Sequence, residues 1–144
     1  MRIVIDTSVL IAALTKPRGA AGRIVRAWRA GAIEAVASAA TLREAEAVVG
    51  ARWVARVASR EDVPALLRDL RERAACVRPR AIRDLSLKDE GDLRMVEAAV
   101  AGGASFFVTA DREVLRARGY GGVEFVTAQE FWRRLVELEA GDGA

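Results

Sequence analysis

The chain has 144 residues, 52% of them hydrophobic, which is enough to fill the core of one domain and argues against general disorder. Its formal net charge is +3, from 23 basic and 20 acidic residues, which is compatible with a polyanionic partner without requiring one. The absence of His excludes Ser-His and Cys-His hydrolases and the usual zinc sites, and the single Cys76 cannot form an internal disulfide.

The first fifty residues alternate strands with helices. Their hydrophobic spacing predicts strands over 3–5 and 33–37 and helices over 20–30 and 38–50. The first strand is a short β-branched run that stops at Asp6, as expected for a buried parallel strand that ends at a functional edge. No stretch of the chain approaches the roughly 18 apolar residues of a membrane span, so a cytoplasmic protein without membrane contact is expected.

The middle of the chain is predicted to form an antiparallel helical arm. Residues 51–75 carry one apolar stripe at helical spacing, and Pro64 is tolerated only within a first turn. Residues 76–79 are predicted to be a brief edge strand, because Pro79 cannot donate into a central ladder. A connecting loop and a further helix are predicted next, over 80–88 and 89–102.

The last part of the chain returns to alternating elements. The spacing predicts a buried strand over 106–108, a short helix that stops at Gly119, a strand over 123–126 and a final helix that begins with the capping box Thr127–Glu130. We therefore assign residues 1–138 to one α/β domain, with a central parallel sheet covered by helices on both faces. Residues 139–144 have nothing to bury and are predicted to be a flexible tail.

Acidic side chains are predicted to gather at one edge of this sheet. Asp6 and Asp111 each follow a buried strand directly, and ligands bind beyond the carboxyl ends of parallel strands. Glu44 follows the second strand, and Asp89 and Asp92 lie in the first turn of a helix that begins near the same edge. Like charges this close raise one another's pKa unless a cation compensates them.

The expected cation is a hard divalent ion. With no His, only oxygen atoms can hold it, which favours Mg²⁺ or Mn²⁺ as one or two ions. Such ions activate water and neutralise phosphate, so hydrolysis of a phosphodiester bond is the leading chemistry.

Each acid also has a purely structural interpretation, because Asp and Glu often cap helix starts. Glu44 could complete a capping box with Thr41, and Glu46 could take its place at the site. Asp89 could be an N-cap with Asp92 as its capping partner; as the direct ligand, Asp92 is favoured over Asp89.

Further polar residues are candidates for supporting roles. Thr7, Ser8 and Thr109 could orient the acids or bind phosphate, although such hydroxyls also simply start helices. Arg52 and Arg56 on the arm are candidate contacts to an RNA backbone, with a solvated helix face as the alternative. Three aromatic residues are expected in the core or in an interface rather than under stacked bases, namely Trp28, Trp53 and Trp132.

Several segments occur in a characteristic order. They are Ile3-Val-Ile-Asp-Thr-Ser-Val-Leu10, Ser38 with Glu44, Asp89-Glu-Gly-Asp92 and Phe107-Val-Thr-Ala-Asp111, followed by Tyr120-Gly-Gly-Val123 and Thr127-Ala-Gln-Glu-Phe131. In this order and spacing the chain resembles a PIN domain of the toxin-like bacterial and archaeal branch. Two positions depart from that pattern: Gly91 stands where relatives often carry another acid, which leaves open whether one or two ions bind, and Ser8 replaces a more frequent Asn.

The resemblance implies a three-layer α/β/α fold and a metal-dependent ribonuclease. It assigns the catalytic and metal-binding roles to Asp6, Glu44, Asp92 and Asp111. Members of this branch are commonly toxins of VapC type held inactive by an antitoxin, and many form homodimers, so RNA, an antitoxin and a second copy are the implied partners. A non-catalytic PIN-fold module that binds RNA or protein is the alternative, and the choice of RNA target is left open.

Overall fold

The computed structural model describes the backbone of residues 1–142 and the side chains of residues 1–141. In this part of the chain six strands form one sheet: β1 Arg2–Ile5, β2 Glu34–Ala37, β3 Ala75–Cys76, β4 Phe106–Val108, β5 Gly119–Tyr120 and β6 Val123–Val126. Their order across the sheet is β3-β2-β1-β4-β6-β5. Neighbouring strands are parallel, except that β5 pairs antiparallel with β6. The predicted parallel sheet is thus confirmed for five strands.

Eight helices cover this sheet in the described residues: α1 Thr7–Thr15, α2 Ala20–Arg29, α3 Ala39–Val49, α4 Arg52–Val57, α5 Asp62–Arg73, α6 Glu90–Ala101, α7 Arg112–Ala117 and α8 Ala128–Asp142. Alternate side chains of β1 enter two different cores. Ile3 and Ile5 pack with α1, α2, α5 and α8, whereas Val4 packs with α6 and α7. The sheet is therefore buried on both faces, and the predicted three-layer α/β/α architecture is confirmed.

The helical arm predicted for residues 51–75 is present and has one break. It consists of α4 and α5, separated by residues 58–61, where Ala58 has extended backbone angles. Pro64 explains the restart, since its ring is tolerated only in the first turn of α5. Leu66 and Leu70 then bury one face of α5 against the core.

Three further elements differ from those predicted from the sequence. The edge strand β3 covers residues 75–76 rather than 76–79. The hairpin strand β5 was not predicted, because two residues carry no periodic signal. The last helix continues to Asp142, so residues 139–142 of the predicted tail extend it, and the side chains of residues 139–141 are exposed. Residues 143 and 144 of the predicted tail lie outside the described residues. None of the described helices has the length and apolar character needed to cross a bilayer.

Candidate functional site

An open cavity of about 330 Å³ lies at the carboxyl ends of β1 and β4. Its lining includes every acid that the sequence analysis assigned to the site, namely Asp6, Glu44, Asp89, Asp92 and Asp111, together with Thr7, Ser8 and Gly91. We call this concavity the acidic cavity. The rule that parallel strands share one functional edge thus brings these side chains together from four separate stretches of the chain.

Two hydroxyl groups fix the carboxylate of Asp6. Its Oδ2 atom accepts hydrogen bonds from Ser8 Oγ at 3.0 Å and from Thr109 Oγ1 at 2.7 Å. Thr109 is completely buried, and its hydroxyl also accepts the backbone N–H of Asp111 at 3.1 Å. Thr109 therefore ties the end of β1 to the end of β4. The third predicted supporting residue, Thr7, has a buried hydroxyl with no hydrogen-bond partner among the described residues.

Asp111 combines a structural role with its place in the cavity. Its Oδ1 atom caps α7 by accepting the backbone N–H groups of Glu113 at 2.8 Å and Val114 at 3.3 Å. The second carboxylate oxygen takes no part in this cap. The structural and functional interpretations of Asp111 are therefore compatible.

Glu44 does not cap a helix, so the suggested capping box with Thr41 is wrong. The N-cap of α3 is Ser38, whose Oγ atom accepts the Thr41 N–H at 3.2 Å, while Thr41 Oγ1 accepts the Ser38 N–H at 2.8 Å. Glu44 lies one turn further along, exposed at the cavity. Glu46 is oriented elsewhere, because its carboxylate lies 3.6 Å from Arg71 Nε, and it does not line the cavity.

Asp92 is the acid of the cavity whose pKa is raised by its surroundings. Its helix is capped by Asp89, whose Oδ1 atom accepts the Asp92 N–H at 3.1 Å, but the Asp92 side chain itself is buried. Burial, and then the charges of Asp6, Asp111 and Asp89, raise the pKa of Asp92 from 3.8 to about 7, and a hydrogen bond with the Asp111 carboxyl adds to the shift.

Gly91 makes room for the acids around it. A Cβ atom at this position would lie 2.9 Å from Glu44 Oε1 and 2.9 Å from Asp89 Oδ1. The missing side chain therefore lets the Glu44 carboxylate approach the backbone of α6. From the sequence, Gly91 could be interpreted only as the absence of an acid, because no local pattern reveals which distant side chain occupies the space.

The chemistry of these donors fits a hard divalent cation. All are carboxylate oxygens, and the raised pKa of Asp92 reports negative charge that nothing nearby compensates. Within residues 1–141, however, no three His, Cys, Asp or Glu side chains are arranged so that they could hold one ion as they stand. One oxygen each of Asp6, Asp89 and Asp111 is held by a hydroxyl or an amide. A divalent ion at this cavity would therefore need the carboxylates to turn toward it.

The candidate RNA contacts on the arm lie apart from this cavity. Arg52 and Arg56 are exposed on α4 and do not line it. Of the tryptophans, Trp28 belongs to the core with 3% of its surface exposed, Trp53 is 50% exposed, and Trp132 is half-buried on α8.

A family model described as PIN domain matches residues 2–113, a stretch that contains Asp6, Glu44, Asp92 and Asp111. The chain matches none of the curated proteins and none of the solved structures with which it was compared.

Proposed function

The chain belongs to the PIN domain family, and from this premise we propose that it is a metal-dependent endoribonuclease that hydrolyses RNA in the acidic cavity. PIN domains are generally nucleases and usually use divalent metal ions. The observation that carries the proposal is that Asp6, Glu44, Asp92 and Asp111 line one cavity at the functional edge of a parallel sheet.

Each acid has a role in this proposal. Asp6, Asp92, Asp111 and Glu44 hold Mg²⁺ or Mn²⁺, with Asp89 as an additional ligand. A bound divalent ion supplies positive charge to the phosphate and lowers the pKa of a water molecule. Ser8 and Thr109 orient Asp6 by holding one of its oxygens.

Protonation of the Asp92 carboxyl is expected to compete with cation binding in this cavity. With a pKa of about 7, the carboxyl of Asp92 is partly protonated at neutral pH, and that proton has to leave before the side chain can act as an anionic ligand. We therefore expect cation binding to release a proton and to strengthen as the pH rises toward 7. Titration with Mn²⁺ in a calorimeter measures both the released proton and the number of ions, one or two.

The test is cleavage of single-stranded RNA with Mg²⁺ or Mn²⁺ against a chelator. Glu44→Gln and Glu46→Gln form a matched pair, because both remove a carboxylate from the same helix but only Glu44 lines the cavity. Loss of cleavage in Asp6→Asn and Glu44→Gln, with cleavage kept in Glu46→Gln, is the expected result. Equal cleavage by Asp6→Asn and wild type rejects the assignment.

The alternative, a non-catalytic module that binds RNA or protein, makes a different prediction. The wild-type protein would then bind RNA without any metal-dependent cleavage, and Asp6→Asn would change neither property. The convergence of acids around a carboxyl with a raised pKa favours the catalytic proposal, because uncompensated charge of this kind destabilises a fold and is found mainly at functional sites.

The proposal extends to the cellular role that the toxin-like branch implies, namely the toxin of a toxin–antitoxin pair that acts as a cytoplasmic homodimer. Expression of the wild-type chain is then expected to arrest growth, whereas expression of Asp6→Asn is not, and co-expression of the gene encoded beside it should restore growth. Sedimentation of the purified chain tests the dimer. Growth unaffected by the active enzyme would reject the toxin role while leaving the nuclease proposal intact.

A further inference from the structure

A second and larger concavity adjoins the acidic cavity. Its volume is about 590 Å³, and Ser8 and Ala110 line both concavities, so the two lie side by side. It runs between the turn that joins α1 to α2 and the first turns of α8. We call it the basic groove, because its lining includes Lys16, Arg18 and Arg23 and not a single Asp or Glu.

The three cations of the basic groove are not used within the fold. Among the described residues, no carboxylate oxygen lies within 4.0 Å of the charged groups of Lys16, Arg18 or Arg23. The next arginines along α2 are engaged: Arg26 donates to the Pro17 carbonyl at 2.7 Å, and Arg29 pairs with Asp69. Unpaired positive charge in a concave surface without acids favours a polyanion.

The turn that carries Lys16 and Arg18 is held tightly. The Gly19 N–H donates to the Lys16 carbonyl at 3.0 Å, and Arg26 holds the next carbonyl, that of Pro17. A Cβ atom at Gly22 would lie 2.0 Å from the Pro17 carbonyl oxygen, so only glycine permits this approach of α2 to the turn. The backbone under both cations is therefore fixed before any ligand binds, which lowers the entropy lost on binding.

Trp132 forms part of the wall of the same groove. Its ring packs against the core and is half-buried, and it lines the groove together with Thr127 and Gln129 at the start of α8. The sequence analysis placed Trp132 in the core or an interface, because its groove neighbours lie at the other end of the chain. An aromatic ring beside backbone-binding cations is the usual arrangement for stacking an unpaired base, which a duplex cannot offer.

We propose that the basic groove binds the single-stranded nucleic acid whose phosphate enters the acidic cavity. Lys16, Arg18 and Arg23 contact the phosphates, and Trp132 stacks on a base. This inference rests on the proposed function, since it is the position of the groove directly beside the acidic cavity, with Ser8 and Ala110 lining both, that makes the bound strand a substrate. It assigns the nucleic-acid contacts to the basic groove instead of to Arg52 and Arg56, which line neither concavity.

The experiment compares two triple variants of the full chain that lose the same charge. The groove variant loses the three cations of the groove, through Lys16→Gln, Arg18→Gln and Arg23→Gln. The arm variant loses three exposed cations of the helical arm, through Arg52→Gln, Arg56→Gln and Arg60→Gln. Binding of a short fluorescein-labelled single-stranded RNA is followed by fluorescence anisotropy in the presence of a chelator, so that metal-dependent cleavage does not occur. Thermal unfolding shows that both variants fold.

The groove variant is expected to bind about 100-fold more weakly at about 0.1 M salt, and the slope of log affinity against log salt should become shallower by about 2, for three lost phosphate contacts. The arm variant should stay within about threefold of wild type. Equal affinities of the two triple variants would overturn the inference.

Trp132 and the strand preference give a second, independent test. Trp132→Leu keeps an apolar side chain in the core but loses the stacking surface, so we expect single-stranded RNA to bind about fivefold more weakly or worse, with Trp132→Phe close to wild type. Single-stranded DNA of the same sequence should bind through the same groove, and an RNA duplex of the same length more weakly. A duplex that binds as tightly as the single strand, or a polyglutamate peptide that displaces RNA as well as unlabelled RNA does, would contradict the inference and indicate a groove for acidic polymers in general.

The outcomes separate this inference from the proposed function. RNA that binds through the groove but is not cleaved with Mg²⁺ or Mn²⁺ would support the groove and reject the nuclease. Normal cleavage by the groove variant, with unchanged affinity for RNA, would support the nuclease and reject the groove.

Discussion

Two aspartates are equally buried in this protein but have opposite electrostatic surroundings. Asp69 on α5 is 7% exposed, and its carboxylate accepts hydrogen bonds from Arg29 on α2 and from Arg73 Nε at 3.1 Å. Asp92 on α6 is 8% exposed and has the carboxylates of Asp6, Asp111 and Asp89 as its charged neighbours. In the described residues no basic side chain lies within 4.0 Å of the Asp92 carboxylate.

The difference distinguishes charge that serves the fold from charge that serves a site. Asp69 joins two helices through paired charges, and its role is complete within the protein. Asp92 is destabilised by its neighbours, and folding alone gives no reason to keep four acids together. The comparison predicts opposite responses when each aspartate is replaced by its neutral isostere.

The largest expected effect is on catalysis. Asp92→Asn should lower metal-dependent RNA cleavage about 100-fold or more, because a ligand charge is lost while the shape is kept. Asp69→Asn should cleave within about threefold of wild type per folded molecule, because Asp69 does not line the acidic cavity. Initial rates measured with Mg²⁺ and normalised to folded protein test both. A fully active Asp92→Asn enzyme would show that cleavage does not need Asp92, and the difference between Asp92 and Asp69 would then have no bearing on function.

The effects on stability should have opposite signs. Asp69→Asn is expected to lower the free energy of unfolding by about 1–3 kcal/mol, because Arg29 and Arg73 lose their charged acceptor but remain partly hydrated. Asp92→Asn should leave the free energy unchanged or raise it in metal-free protein, because it removes repulsion. Urea unfolding in chelator measures both. Destabilisation of similar size by the two substitutions would mean that Asp92, like Asp69, is structural.

The sequence could predict the acidic cavity, because the signals that predict it lie within short segments of the chain. β1 and β4 are short apolar runs that end directly at Asp6 and Asp111, and the rule for parallel sheets then places both acids at one edge. The helix starts at Ser38 and Asp89 are also readable from single residues, and both are N-caps in the structure. Fold class and the gathering of acids follow from such signals alone.

Features that join distant segments could not be predicted in this way. The pairing of Asp69 with Arg29 spans 40 residues and depends on how α5 docks against α2. The basic groove brings the turn around Lys16 and Arg18 next to Trp132, from opposite ends of the chain. Each of these residues has an ordinary role in its own segment, so only tertiary packing reveals the combination.

A smaller effect is expected on the pH dependence of stability. The pKa of Asp92 rises from 3.8 to about 7 on folding, so above about pH 4 the folded chain holds a proton that the unfolded chain has released. The stability that this bound proton contributes to the folded chain is fully present below pH 3.8 and is lost as the pH rises toward 7. Open access of water to the cavity screens these charges, so the change should be smaller than that caused by Asp69→Asn.

Urea unfolding of metal-free wild type and Asp92→Asn across this pH range isolates the contribution, since the other carboxyls are common to both. The wild type should lose stability relative to Asp92→Asn as the pH rises, and the difference should level off above pH 7. A difference that stays constant with pH would show that the Asp92 carboxyl titrates normally, and would contradict the prediction.

Gly91→Ala gives the smallest expected effect and separates stability from function within a single residue. Alanine favours a helix over glycine by up to about 1 kcal/mol, so the free energy of unfolding should be unchanged or slightly higher. The added Cβ atom would lie 2.9 Å from the Glu44 and Asp89 carboxylates, whose flexible ends must rotate away, and cleavage should therefore fall. The expected loss is about tenfold, at the lower end of the range for changes that disturb the position of a metal ligand. Gly141→Ala in α8 is the matched control, because a Cβ atom there meets nothing within 4 Å. If Gly91→Ala cleaves RNA as fast as this control, the position of the Glu44 carboxylate does not matter for the reaction. Of the acids around Asp92, only Asp6 and Asp111 would then be needed for cleavage.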